Sequence, residues 1–123
     1  MKVLLVEPGK HPRVVDIEHT LEEMYRILKC DTITATYPWR EDYVALVTDD
    51  EGLFKDNPWN RVIDQYTTIK GNFFIFGLSE DDFSDLPDDL MEKYKRMFWI
   101  PQAFIPTSHG MIVIHIDDGS ECE

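Results

Sequence analysis

Residues 20–47 read TLEEMYRILKCDTITATYPWREDYVALV, and this stretch decides the fold. Thr20-Leu21-Glu22-Glu23 matches a capping box, in which Thr20 accepts from the Glu23 amide and Glu23 reaches back. Leu21, Met24, Tyr25 and Leu28 follow at helical spacing and share one apolar face. Lys29 falls where the helix dipole favours a cation. Thr32 to Tyr37 then alternates strictly. Thr32, Thr34 and Thr36 point one way, and Ile33, Ala35 and Tyr37 the other, as in a strand with one wet face. After a loop at 38–42, Tyr43-Val44-Ala45-Leu46-Val47 has no polar face, which predicts a central strand buried on both sides. A helix followed by a hairpin-like pair of strands favours α+β over a doubly wound α/β fold.

Working outward, Lys2 to Val6 reads as a short buried strand and Arg13 to Ile17 as a partly polar one. The loop between them holds Pro8, Gly9 and Pro12. Asp49-Asp50-Glu51-Gly52 closes the central strand with a turn. Residues 53–68 carry little signal; Asn57-Pro58 marks a turn, and Trp59 to Ile63 reads as a short helical turn. Ile69 to Leu78 reads as one strand, in which Gly71 and Gly77 mark bulges or close backbone approach. Ser79-x-x-Asp82 resembles a cap and opens a short turn around 80–85. Pro87 suits a first helical position, so a second helix is predicted from about 87 to 98. Pro101 and Pro106 mark a loop, and Gly110 to Ile116 reads as the last strand. The expected architecture is therefore α+β, with a mainly antiparallel or mixed sheet of about five or six strands and two principal helices packed on one face. Residues 1–116 form a single domain in this reading, and 117–123 an acidic tail.

Twelve Lys and Arg face 24 Asp and Glu in 123 residues, a net charge of −12. That balance excludes direct binding to a phosphate backbone or to anionic lipid. No apolar run is long enough to span a bilayer, and the first residues lack a secretory signal pattern. Cys30 and Cys122 are expected as free thiols in a reducing cytoplasm. Fourteen of the 24 acids fall in three places. Glu80, Asp81, Asp82, Asp85, Asp88, Asp89 and Glu92 form the largest group; Asp49-Asp50-Glu51 and the tail hold the rest. The ordinary explanation is a solvated helix start, a turn and a tail. The sharper one is an acidic surface that occupies the phosphate sites of a basic partner.

Other chemistry finds less support. The acid spacing is not that of an EF-hand, and His115-x-Asp117 lacks a third metal ligand. There is no G-x-S-x-G, P-loop, G-x-G-x-x-G or H-E-x-x-H motif. No catalytic residue, cofactor or metal is therefore assigned. Trp39, Trp59 and Trp99 each sit near a proline, as loop anchors or interface residues. Asn60 and Arg61 are secondary candidates, together with Trp59. They either meet a partner's carboxylate or fix the loop through Asp64, and the structural role is preferred.

Several short pieces occur in a recognisable order. They are Val6-Glu7-Pro8-Gly9-Lys10, Tyr37-Pro38, Asp50-Glu51-Gly52, Asn60-Arg61, Ile69-x-Gly71, Phe76-Gly77-Leu78, Asp82-Phe83 with Leu86, Lys93-Tyr94, Phe98 and Pro101. The pattern, over about residues 2–104, resembles a small uncharacterised domain family of gut Firmicutes, their phages and mobile elements. The resemblance implies a setting among accessory genes, some near antirestriction genes, and no transferable activity. The leading expectation is a non-enzymatic, cytoplasmic protein-binding module. Its acidic helix and turn would engage a basic, nucleic-acid-processing host protein. The alternative is a ligand-binding or enzymatic α+β domain with its site near Asn60, Arg61 and the loop after Pro101. A third is a structural subunit that self-associates through exposed aromatics.

Overall fold

The structure is a computed structural model and describes residues 1–122. In chain order the elements are β1 (Lys2–Val6), β2 (Arg13–Asp16), α1 (Leu21–Leu28), β3 (Ile33–Thr36) and β4 (Val44–Asp49). A single 3-10 turn (Gly52–Phe54) leads to β5 (Trp59–Asp64), β6 (Thr67–Lys70), β7 (Phe73–Leu78) and β8 (Phe83–Ser84). Then come α2 (Asp88–Met97), β9 (Gln102–Thr107) and β10 (Gly110–His115). The main sheet has six strands in the order β2-β1-β7-β4-β3, with β8 added at the end of β7. Every pairing in it is antiparallel. The α+β class follows, with an antiparallel rather than a mixed sheet.

The three central strands explain the layering. Val3–Val6, Val44–Val47 and Phe73–Phe76 are almost wholly excluded from solvent. Successive strand residues point to opposite faces, so a strand without polar positions needs cover on both sides. Val3, Leu5, Ala45, Val47, Phe74 and Phe76 pack against Met24 and Leu28 of α1. Leu4, Val6, Val44, Leu46, Phe73 and Ile75 pack against Met91 and Tyr94 of α2 and against Phe98 just beyond it. The two helices therefore lie on opposite faces, which corrects the expected one-sided arrangement. Each fully buried Leu or Phe in these layers contributes about 1.5–3 kcal/mol.

Three local expectations also change. Residues 59–63 are not a helical turn; they form β5, which pairs with β6 and shifts register between Trp59 and Arg61 and again between Val62 and Asp64. Asn60 is the extra residue of the first bulge, and the bulge buries the neighbours Asn60 and Arg61 together. The single strand expected over 69–78 is two, because Gly71 turns the chain with φ +75°. The expected proline loop is strand β9, where Pro106 is tolerated because β9 has one hydrogen-bonded strand neighbour. Both cysteines are free, Cys30 buried and Cys122 half-buried. The expected tail includes Glu123, which lies outside the described residues.

Candidate functional site

The antiparallel order brings the starts of β1 and β4 and the finish of β7 to one end of the sheet. Both helices also start there. The Lys2 N–H donates to Asp85 at 2.9 Å, and the Leu86 N–H donates to the Lys2 carbonyl at 2.9 Å. His19, just before the Thr20 cap, lies 3.2 Å from Asp82. Two positive helix ends thus face the segment in which the sequence concentrates its acids.

All seven acids of that segment are exposed, but they have different duties. Asp82 accepts from the Phe83 N–H at 2.7 Å and also meets His19. Asp85 is held by Lys2, and Glu92 pairs with Arg96 one helical turn on, at 2.8 Å. Glu80, Asp81, Asp88 and Asp89 form no ion pair among the described residues. Glu80, Asp81 and Asp82 line a cleft of about 630 Å³ with Tyr37, Tyr43 and Arg40. Tyr37 and Tyr43 are more than half exposed. The cleft also reaches Asp42, which accepts from Lys93 and from the Tyr94 hydroxyl, both at 2.5 Å. The Lys93 bond first, and the Tyr94 bond second, hold the Asp42 carboxyl below its usual range. Burial, with the Asp42 bond, pushes the Tyr94 phenol up.

The other two acid runs lie elsewhere. Asp49 is buried at the far end of β4, and Lys55 Nζ lies 2.7 Å from it. The acidic turn is therefore not part of the surface built by residues 80–92. The tail folds back to the same far end. Asp118 lies 2.9 Å from His11 Nε2, and the Trp99 indole N–H donates to the Ser120 carbonyl at 3.1 Å.

Trp59, Asn60 and Arg61 are not an open site. Asn60 donates to the carbonyls of Val6 at 2.9 Å and Gly71 at 2.7 Å. Arg61 donates to the carbonyls of Phe98 at 3.0 Å and Lys10 at 2.6 Å, and to Asn60 Oδ1 at 2.8 Å. Both side chains are fully buried, so the ligand site expected beside them has no access to either. Asp64 is not the partner of Arg61; it accepts from the Tyr66 N–H at 2.8 Å. Burial lowers the Arg61 pKa to about 10, which leaves it charged at neutral pH. The Trp59 ring sits beneath Lys70 and beside Phe104. Trp39 packs on Tyr94 and Phe98.

The contact between His11 and Trp99 joins residues 88 positions apart and has no local signal. Their rings stack with centroids 3.9 Å apart, and Nδ1 donates to the Trp99 carbonyl at 2.5 Å. That carbonyl first, and Asp118 second, raise the imidazolium above its ordinary value. Asp118 is held well below the usual carboxylate range by Ser120 and His11. His11 therefore stabilises the folded arrangement fully below about pH 6.5, through Trp99 first and the tail second, and this contribution fades as pH rises through the raised value. Asp118 contributes above about pH 4 and loses its share as pH falls toward its lowered value. An imidazole proton titration should place His11 above 6.5, with Asp118→Asn moving it back down.

These features define a small antiparallel α+β domain with a helix on each face and an acid-lined, tyrosine-flanked cleft at one end. A family model described as a domain of unknown function (DUF3846) matches residues 1–99, and the chain belongs to that family. Neither a curated protein nor a solved structure matches the chain. The match stops at Trp99, just before β9. No helix among the described residues is long and apolar enough to cross a membrane. No cluster of three or more His, Cys, Asp or Glu suited to a metal occurs among them.

Proposed function

We propose that the chain is a non-enzymatic protein-binding module whose acidic end docks on a basic surface of a nucleic-acid-processing protein. One observation carries this reading. Glu80, Asp81, Asp88 and Asp89 are exposed without ion pairs among the described residues, while Asp82 and Asp85 tie the segment between them to the body. Exposed carboxylates without ion pairs repel each other and hold water, and a basic surface relieves both costs by charge pairing. Tyr37 and Tyr43 add amphipathic contact area of the kind enriched at interfaces. The resemblance to domains of phages and mobile elements points to a cytoplasmic host protein as the partner, as in antirestriction.

The test is competition with duplex DNA for a restriction or CRISPR nuclease, followed as salt is raised. The native chain should displace DNA, with affinity falling steeply with salt. The fourfold variant Glu80→Lys, Asp81→Lys, Asp88→Lys, Asp89→Lys should bind at least about tenfold more weakly and with a flatter salt slope. Reversing Asp117 and Glu121 in the tail should change neither. Equal binding by the native and fourfold variant chains would sink the proposal.

A further inference from the structure

Trp99 to Ile116 contains no Asp, Glu, Lys or Arg, in a chain that is 29% charged. The structure makes this stretch an arm. β9 meets the body through β5: the Val62 N–H donates to Gln102 at 2.9 Å, and Phe104 packs beside Trp59. β10 pairs with β9 alone, and all six of its residues are exposed. The register sets Ile112 opposite Ile105 and Ile114 opposite Ala103. Strand alternation therefore lines up Ile105, Ile112, Ile114 and Ile116 on one face, 44–52% exposed. Met111 and Val113 occupy the other face at 45% and 40%.

The outer edge of β10 has none of the devices that usually guard an edge. It has no proline, no lysine and no register shift. A two-stranded ribbon is also marginal by itself and gains from further strands. We infer that this arm joins a second copy of the chain, with β10 pairing antiparallel to β10 of the copy about Val113.

Charge selects that occupant. The arm offers a basic or acidic partner nothing to pair with, whereas a neutral apolar edge is complementary to itself. Two bodies of charge −12 repel, and the arm lets them meet away from the largest acidic group, residues 80–92, at the other end of the sheet. A two-fold axis through Val113 places Ile112 opposite Ile114 of the copy. The isoleucines then stay on one face of a continuous four-stranded sheet. The four half-exposed isoleucines on one face form an apolar surface of the kind that is often functional on a monomer. The interface is correspondingly small, so the dimer is reversible.

Sedimentation velocity on the full chain, from low to high micromolar and at low and high salt, tests the inference. The mass should rise from 14.5 kDa toward twice that with concentration. The dimer should persist or strengthen as salt increases, opposite to the salt response of the acidic end. Val113→Pro removes the central edge N–H, and the double variant Ile112→Lys, Ile114→Lys places cations on the exposed face. Each should raise the dissociation constant at least about tenfold with unchanged circular dichroism. The lysine pair is solvent-compatible and keeps the test intact if the proline variant misfolds. A native chain that stays monomeric at high micromolar concentration overturns the inference. So does a dimer that dissolves in salt or survives the lysine pair, or a monomer that binds neutral vesicles through the arm.

Discussion

Arg61→Ala should lower the unfolding free energy by about 3–4 kcal/mol, shifting the urea midpoint with little change in slope. The guanidinium is fully buried and joins segments far apart in sequence: the loop after β1 at Lys10, the end of α2 at Phe98, and its own strand at Asn60. Its removal leaves the Phe98 and Lys10 carbonyls without this donor, at about 1–3 kcal/mol for each buried group that stays unsatisfied. The variant recovers the cost of burying the arginine, which makes the net loss smaller than the summed bonds. Arg61→Lys should rescue only part of the loss. One ammonium keeps the charge but not the planar fork that spans four acceptors. A loss below about 1 kcal/mol for the alanine variant would mean that packing, not the hydrogen-bonded guanidinium, holds these segments.

Gly77→Ala should be nearly as damaging, at about 3 kcal/mol, by overpacking. A Cβ at Gly77 would lie 2.1 Å from the Asp85 carbonyl oxygen and 2.9 Å from its carbon. The neighbour is backbone, so no rotamer change relieves the clash. Moving it strains the two Lys2 bonds, through the Asp85 carboxylate and the Leu86 amide. The variant should therefore lose β8 and faster amide exchange should appear at Ser84 and Leu86, with a lower melting temperature. Gly9→Ala is the comparison. Nothing lies within 4 Å of its added Cβ, so only the positive φ opposes it, at about 1–2 kcal/mol. Equal melting temperatures for the Gly77 variant and the native chain would contradict the close packing of β8.

What could be read from sequence followed the strength of local signals. The unbroken apolar runs at 3–6, 44–47 and 73–76 marked the central strands. Thr20 does cap α1, accepting from the Glu23 amide at 3.2 Å. The reciprocal half of the box is absent because the Glu23 carboxylate turns to Arg26. Val44 to Val47 already required cover on two faces, but which helix covers which face depends on strand order. β5 was hidden because its bulge breaks alternation at Asn60. The acids at 80–92 were visible as composition. Their division into anchored and unpartnered groups was not, since Asp85 is held by a residue 83 positions away.

The bulge at Asn60 also bears on how this sequence can vary. The extra residue at Asn60 shifts the phase of β5 against β6, and the second shift between Val62 and Asp64 restores it, so Asn60 acts as a frame switch within six residues. Loss of one residue there would remove the first register shift, leave the second, and place Trp59 and Arg61 on opposite faces of β5. Insertions and deletions are therefore constrained at Asn60 more tightly than substitutions, and length is inherited information at this point of the chain.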